Sequence, residues 1–392
     1  RLDVRVNTEV VEINKSKKEI VAVDHAKNSQ FTLSYDKLIL SPGAAPVRPD
    51  IPGIERALSL RTVEDVKAMA AVVASNPKSA AIIGGGFIGL ELAENFAHKG
   101  IPISVIEATN QVMAPLDTEM VGFVHDEIRK NKVELYISAA VTQIKENSVL
   151  LADGKEVAAD VVVAAIGVRP ETTLAKNAGL TIGERGGIFV NEFNQTSDPD
   201  IYAVGDAAQK QDALDGSQSL VPLANIANRH GRIVADHICG KTIRKVSSQV
   251  TAIVKVFDLT VATTGWNEKR LIAAKRDYLA IHTHPASHAG YYPGAKGMSI
   301  KLLADRKTQE ILGAQAVGSE GVDKRIDVIA TAIRGGITAP ALADLELAYA
   351  PPFSSAKDPV NMLGYIAENL VSGLTEVAQW SELDKYKSEG FA

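Results

Sequence analysis

Ala80-Ala81-Ile82-Ile83-Gly84-Gly85-Gly86-Phe87-Ile88-Gly89-Leu90-Glu91-Leu92-Ala93 runs from a short apolar strand through a glycine turn into the start of a helix. Each glycine of the G-x-G-x-x-G spacing has its own duty. Gly84 permits a tight turn, Gly86 lets backbone approach a pyrophosphate, and Gly89 allows helix and strand to pack closely. The phosphates then meet the open N–H groups and positive end of the helix. Such spacing is weak evidence alone, but the strand–helix context is present and a second apolar strand, 102–106, stops at Glu107. An acidic residue there accepts from a ribose 2′-hydroxyl and repels a 2′-phosphate. Ala108-Thr109-Asn110-Gln111 supplies no arginine to attract one. The stretch predicts a nicotinamide dinucleotide site that takes NADH in preference to NADPH. Phe87, Ile88 and Glu91 lie toward one end of one helix face. Glu91 either borders the nicotinamide or is an ordinary surface glutamate.

Outward from this turn the α/β rhythm continues, with helices at 87–99 and 117–131 and strands at 133–137, 140–145, 148–151 and 160–165. Alternation of this kind implies a mainly parallel sheet. Upstream, residues 1–13 read directly as strand. Residues 4–40 form a meander with pieces at 4–7, 9–14, 19–25 and 30–34, and an apolar run at 35–40 stops at Ser41-Pro42-Gly43. A buried strand ending in a Gly/Pro turn suits a ligand-facing loop. A proline-rich linker and a helix at 63–74 follow. Downstream, 186–205 holds two strands, the second ending as Ile201-Tyr202-Ala203-Val204 at Gly205-Asp206. Open α/β sheets bind ligands at such strand ends. Val221-Pro222-Leu223-Ala224-Asn225 then opens a helix, 223–239, whose positive end can face an electron-rich ring edge. From 250 to about 373 the pattern becomes an antiparallel sheet with helices.

Composition bounds the rest. A chain of 392 residues exceeds the roughly 250–300 that one core supports, so several domains are expected. Forty-two basic against 47 acidic residues, with no basic run, argue against nucleic acid. No apolar stretch approaches the ~18 residues of a membrane span, and no signal-peptide pattern opens the chain. A single cysteine, Cys239, excludes an intrachain disulfide framework and points to a reducing compartment, most simply the cytoplasm.

Taken together and in order, these motifs resemble the pyridine nucleotide–disulfide oxidoreductases. They include Ser41-Pro42-Gly43-Ala44, the 84–89 fingerprint, Ala165-Ile166-Gly167-Val168-Arg169-Pro170, Ile201 through Asp206, and Leu223-Ala224-Asn225-Ile226-Ala227-Asn228-Arg229-His230-Gly231-Arg232. His282-Thr283-His284-Pro285 with His288-Ala289-Gly290-Tyr291-Tyr292-Pro293-Gly294-Ala295, and Tyr349-Ala350-Pro351-Pro352-Phe353 through Met362, are similar to the coenzyme A disulfide reductase and NADH oxidase branch.

The resemblance implies an α/β protein with two dinucleotide-binding domains, the first incomplete, and an α+β C-terminal dimerisation domain. Its boundaries would be 1–78 (part of an FAD-binding domain, with linker), 79–168 (NAD(P)H-binding), 169–247 (the second FAD-binding segment), 248–375 (dimerisation) and 376–392. The last piece resembles the approach to a rhodanese-like domain. FAD and NADH are the implied cofactors. Hydride would pass from a nicotinamide over residues 84–89 and Gly167-Val168 to the flavin, then to a coenzyme A disulfide, a persulfide or polysulfide, or dioxygen. Ser41, Pro42, Gly43 and Gly205 would bind cofactor, and Asp206 would bind the flavin's sugar-alcohol or phosphate side. Leu223 and Ala224 would face its pyrimidine edge, with Phe353 also near the cofactor. Tyr291 (or its neighbour Tyr292) and Tyr349 match the family's tyrosines that reach the partner subunit's site, where a phenol can donate a proton to sulfur.

Family members begin with an FAD glycine loop and a redox cysteine. This sequence opens on the strand after them, and both of its ends read as cut. These residues alone are therefore expected to hold FAD weakly. Cys239 reads as a small buried hydrophobe in a helix beside Val234 and Ile238. His282, His284 and His288 suggest metal spacing but lack a convincing ligand set, so no metal is expected. A non-catalytic, dinucleotide-binding redox sensor is the alternative from another class.

Overall fold

The computed structural model describes residues 2–244 and 247–390; Arg1, the 245–246 link and the last two residues of the tail lie outside it. Two compact units alternate along the chain. One comprises the segment up to Val47 and that from Gly167 to Ser248; the other takes Arg48–Ile166 and the chain from Gln249 onward.

In the first unit Thr8–Asn14, Glu19–Asp24 and Ser29–Ser34 form an antiparallel meander. Residues 4–7, expected to begin it, are not strand. Asn7 takes a φ of 52°, which turns the chain out of the extended region, and Val4 and Val6 lie exposed. Leu38–Leu40 pairs in parallel with Ile201–Ala203, and Ala44–Pro46 antiparallel with Val168–Pro170. Ile13, Leu40, Ile188, Ile201 and Ala203 share one core. Of the two strands expected within 186–205, only Ile201–Ala203 forms. Ile188 makes isolated bridges to Ile182 and Ala208. Asn191 folds the following residues into a turn, its side chain accepting from the N–H groups of Phe193 and Gln195. Such local side-chain bonds compete with a sheet ladder. The Ala224–Ile238 helix packs Val234 against Tyr202 and Val204.

In the second unit four parallel strands lie in the order Val161–Ala164, Ala80–Ile83, Ile103–Ile106, Glu134–Tyr136. The first three are buried throughout, as parallel strands covered on both faces are. Ile83 pairs with both Ala164 and Ile106, which aligns the three C-terminal ends at one edge. The Phe87–His98 and Thr118–Lys130 helices bury Leu90, Phe96, Met120 and Val124 in the same core. Thr62 and Asp65 complete a reciprocal cap that starts the Val63–Ala74 helix.

Beyond 250 an antiparallel sheet forms in the order Ala252–Val256, Leu259–Gly265, Ile311–Gly318, Met298–Asp305, Tyr278–Thr283. The Val322–Gly335 and Pro359–Val371 helices pack on it through Ile326, Ile329, Val360 and Leu363. Several polar contacts tie this sheet to the elements around the parallel one. Glu94 accepts from the Phe257 N–H at 2.9 Å. Gln315 both accepts from the Asp117 N–H at 2.7 Å and donates to its carboxylate at 2.6 Å. Lys301, fully buried, places its ammonium among Asp117 (3.0 Å), Glu268 (2.5 Å) and Glu119, which His282 also contacts at 3.0 Å.

Lys301→Met would leave three carboxylates crowded without their cation, so urea unfolding is expected to show a loss of about 3–5 kcal/mol. In the unaltered protein burial alone would raise the Glu119 carboxyl, but the bonds from His282 and Lys301 outweigh it and hold the group down to about 2. Its contribution is therefore complete above the unfolded value of 4.5 and disappears as pH falls through about 2. The thermal midpoint should decline across that window, and more shallowly in Glu119→Gln.

Candidate functional site

The glycine turn leaves the aligned strand ends. Gly84 takes a φ of 106°, and a Cβ there would stand 2.5 Å from the Ala165 carbonyl oxygen. A Cβ at Gly89 would lie 2.0 Å from the Gly84 carbonyl oxygen, so helix and turn touch backbone to backbone. Gly86 differs: nothing stands within 4 Å of where its Cβ would be. It caps the Phe87–His98 helix with no side chain of its own. The helix N–H groups are thus approachable by an anion. Gly85 is held from both sides, its N–H donating to the Glu107 carboxylate at 2.9 Å and its carbonyl accepting from the Met113 N–H at 2.8 Å. The other Glu107 oxygen accepts from the Thr109 N–H and hydroxyl, both at 2.8 Å. A carboxylate offers about four lone-pair positions, so acceptor capacity remains for a ribose hydroxyl. Phe87 and Ile88 are half-buried beside the turn and Glu91 is exposed. Partial desolvation, with Glu94 one turn on, pushes the Glu91 carboxyl up.

In the other unit, Ser41, Pro42 and Gly43 follow the Leu38–Leu40 strand, with Gly43 at a φ of 73° and its carbonyl accepting from the Glu171 N–H at 3.0 Å. Gly167, at a φ of 98°, accepts from the Val47 N–H, and Val168 pairs with Pro46. Both therefore belong to this unit, whereas the sheet bearing the glycine turn ends at Ala164. Gly205 turns the chain at a φ of 70° into the short helix that carries the half-buried Asp206. Beneath that turn lies Lys210, buried, donating to the carbonyls of Gly205 and, at 2.8 Å, Ala208. Burial pushes its ammonium down to about 8, opposed by Asp206. The Ala224–Ile238 helix begins at Leu223 with no side-chain cap, and Ala224 is exposed there. His230, buried in the same helix, accepts from Asn194 at 3.0 Å and is held by desolvation at about 4, hence neutral.

Tyr291 and Tyr349, 58 positions apart in sequence, meet with their hydroxyls 3.0 Å apart. Both rings are exposed, as is Phe353. Tyr292 instead sets its ring edge-on to His288. The three histidines take different partners: His282 engages Glu119, His284 the Ser299 hydroxyl, and His288 the Ala289 carbonyl. Asp117, Glu119 and Glu268 do cluster, and the Lys301 ammonium is bonded to all three.

Comparison with known proteins agrees with this architecture. Residues 1–231 match the model for pyridine nucleotide-disulphide oxidoreductases, and residues 251–359 match the dimerisation domain of the same group. The chain belongs to the pyridine nucleotide-disulphide oxidoreductase family. It is 33% identical to a coenzyme A disulfide reductase of Staphylococcus aureus, over 94% of this chain and 84% of that protein. The crystal structure of reduced Bacillus anthracis CoADR-RHD superposes with a TM-score of 0.98 at 48% identity, covering 99% of this chain and 71% of that one. An NAD-dependent persulfide reductase from A. fulgidus gives 0.92 at 37% identity, covering 96% and 71%.

FAD and NADH are the cofactors this family implies, and the residues present fit them. The opening in front of Gly86 and the held Glu107 suit a dinucleotide. The uncapped helix start at Leu223 suits an electron-rich ring edge. Cys239 corrects an expectation: it is exposed, not buried. It lies nine positions after the buried His230, which at about 100° per residue puts it on the opposite side of the helix. Gly85, Thr109, Asn194 and Lys210 escaped sequence reasoning. The third glycine of the cluster was the only signal for Gly85, and nothing local marked Lys210 as buried.

Glu107→Ala removes the acceptor of the Gly85 N–H and, on the expectation that Glu107 meets the ribose, a nucleotide contact as well. At about 1.5–3 kcal/mol for a hydrogen bond to a charged group, NADH should bind roughly 10- to 100-fold more weakly. Adding Ala108→Arg should turn the preference toward NADPH. Titration of both nucleotides by intrinsic fluorescence measures this, and tighter NADPH binding by the unaltered protein would contradict it.

Proposed function

We propose that this protein is an FAD-dependent oxidoreductase that spends NADH to reduce a small disulfide, coenzyme A disulfide first, and works as a homodimer. The observation that carries the reading is the Tyr291–Tyr349 phenol pair, joined at 3.0 Å on an exposed surface of the domain that matches a dimerisation model. Cleaving R–S–S–R to two thiols takes two electrons and two protons: NADH and H⁺ yield NAD⁺ and two R–SH. A phenol pair facing the sulfur can pass a proton to the leaving thiolate; reduction of dioxygen makes no thiolate to protonate. The relative named as a persulfide reductase favours a persulfide as the second acceptor.

Bound FAD would supply the two-electron exchange between nicotinamide and sulfur. The chain's own residues bind and orient. Gly84, Gly86 and Gly89 would cradle the nicotinamide dinucleotide's pyrophosphate and Glu107 its ribose. Phe87, Ile88 and Glu91 would border its ring, and Gly167 and Val168, in the other unit, would also contact cofactor. Ser41, Pro42, Gly43, Gly205 and Asp206 would hold the flavin, and Leu223 and Ala224 would direct a helix N-terminus at its pyrimidine edge. Phe353 would shield it from the partner's side. We assign the segments 1–78 and 169–247 to flavin binding, 79–168 to the nicotinamide and 248–375 to dimerisation. A reducing, cytoplasmic setting is part of the same proposal; among the described residues no helix is long and apolar enough to cross a membrane.

In the holoenzyme, Tyr349→Phe should leave reduction by NADH within about twofold and slow reoxidation by coenzyme A disulfide at least tenfold, roughly the worth of one positioned proton donor. Stopped-flow absorbance in the flavin bands separates the two half-reactions. Equal loss in both, or a monomer by light scattering at micromolar concentration, would refute the reading.

A further inference from the structure

Two loops carry the phenols. One runs between the Tyr278–Thr283 and Met298–Asp305 strands and holds Tyr291; the other precedes the Pro359–Val371 helix and holds Tyr349. Their visible contact is one exposed hydrogen bond. A bond of that kind is worth little in water and cannot offset the entropy of ordering two loops. What holds them lies underneath. Arg325, on the Val322–Gly335 helix, is 1% exposed. One of its terminal nitrogens donates to the Ser287 carbonyl at 2.9 Å, to the Ser354 hydroxyl at 3.1 Å and to the Asp358 carboxylate at 3.0 Å. The other reaches the Gly321 carbonyl at 3.2 Å. Ser354, fully buried, donates a hydrogen bond from its hydroxyl to Asp358 at 2.5 Å, while its carbonyl accepts from the Ala289 N–H at 3.0 Å. Asp358 also accepts from the Val360 N–H and so caps the following helix. A single guanidinium thus grips one loop at Ser287 and the other at Ser354 and Asp358, and Ser354 stitches the two together at Ala289.

We propose that Arg325, acting through Ser354 and Asp358, is the positioning residue that brings Tyr291 and Tyr349 into register for the sulfur acceptor. The claim rests on the role given above to the phenol pair and deepens it. Arginine is suited to this place because its flat fork meets several acceptors at fixed angles. A lysine retains the charge and loses the fork. The carboxylate of Asp358 stays ionised, since the bonds from Ser354, Val360 and Arg325 outweigh its burial and draw its proton affinity down.

The test uses the holoenzyme with Arg325→Lys and, as a milder change that keeps the charge pair, Ser354→Ala. Two readouts are taken. In stopped flow, both variants should slow reoxidation by coenzyme A disulfide at least tenfold and change reduction by NADH less than twofold. Adding Tyr349→Phe to Arg325→Lys should then cost less than a further twofold, because both act on one element. The second readout is the fluorine spectrum of protein labelled with 3-fluorotyrosine, with the two resonances assigned from Tyr291→Phe and Tyr349→Phe. In the unaltered protein Tyr349→Phe should move the Tyr291 resonance; in the Arg325→Lys background it should not. Persistence of that coupling, a reoxidation rate within twofold of the unaltered enzyme, or multiplicative losses overturn the proposal. Should Arg325→Lys fail to fold, Ser354→Ala decides by the same criteria. If Tyr349→Phe leaves reoxidation unchanged, the assigned acceptor role falls, and the fluorine coupling still decides whether Arg325 sets the register.

Discussion

Much of the second unit follows from one close approach. The Gly84 carbonyl lies where a side chain on Gly89 would begin, and Gly84 itself turns under the Ala165 carbonyl at a φ no ordinary residue adopts comfortably. This contact sets how near the Phe87–His98 helix comes to the parallel strands. It thereby aims the helix N-terminus across the open side of Gly86 and brings the Gly85 N–H within reach of Glu107. The packing constraint and the binding geometry are the same few atoms. Additional bulk there would displace the N-terminal end of the helix as well as the core beneath it.

The parallel sheet and the antiparallel sheet of this unit meet over an apolar core that includes Val124, Val256 and Val261. Their registration is nevertheless set by charge. Lys301, with no exposure, takes three carboxylates, and Glu94 and Asp117 each accept from backbone across the junction. Buried ion clusters of this kind give little net stability because desolvation cancels most of the attraction. They are unforgiving of misplacement, however, since a slipped register strands a charge out of water. The apolar contact supplies the adhesion and the ionic one selects a single alignment.

A similar division operates at the phenol pair. The exposed hydrogen bond is worth about 0.5–1.5 kcal/mol, while ordering backbone costs about 1–2 kcal/mol per residue. The pair therefore reports the loops' arrangement and does not create it. Arg325 and Asp358, buried and multiply bonded, have the strength the surface lacks. Pro351 and Pro352 reduce what must be ordered by restricting the chain beside Tyr349.

What the sequence by itself determined is whatever depends on near neighbours in the chain. The Ala80–Ile83 strand, the glycine turn, the Val63–Ala74 helix with its cap and the change to an antiparallel pattern after 250 were all legible, because periodicity, turn chemistry and capping act over a few residues. The stop of the second strand just before Glu107 was legible too, since the apolar run ends there. Legibility failed where a distant or local competitor intervened: Asn191 folding a turn in place of a strand, Asn7 delaying the start of the meander, and Cys239 facing solvent because a helix has two sides. Only tertiary structure decided that Lys301 completes a cluster with Asp117, Glu119 and Glu268, that Tyr291 and not Tyr292 meets Tyr349, and that Arg325 lies beneath both loops. These partners are separated by 29 to 184 positions, from Arg325 and Ser354 to Asp117 and Lys301, and no local pattern couples residues that only the folded chain brings into contact.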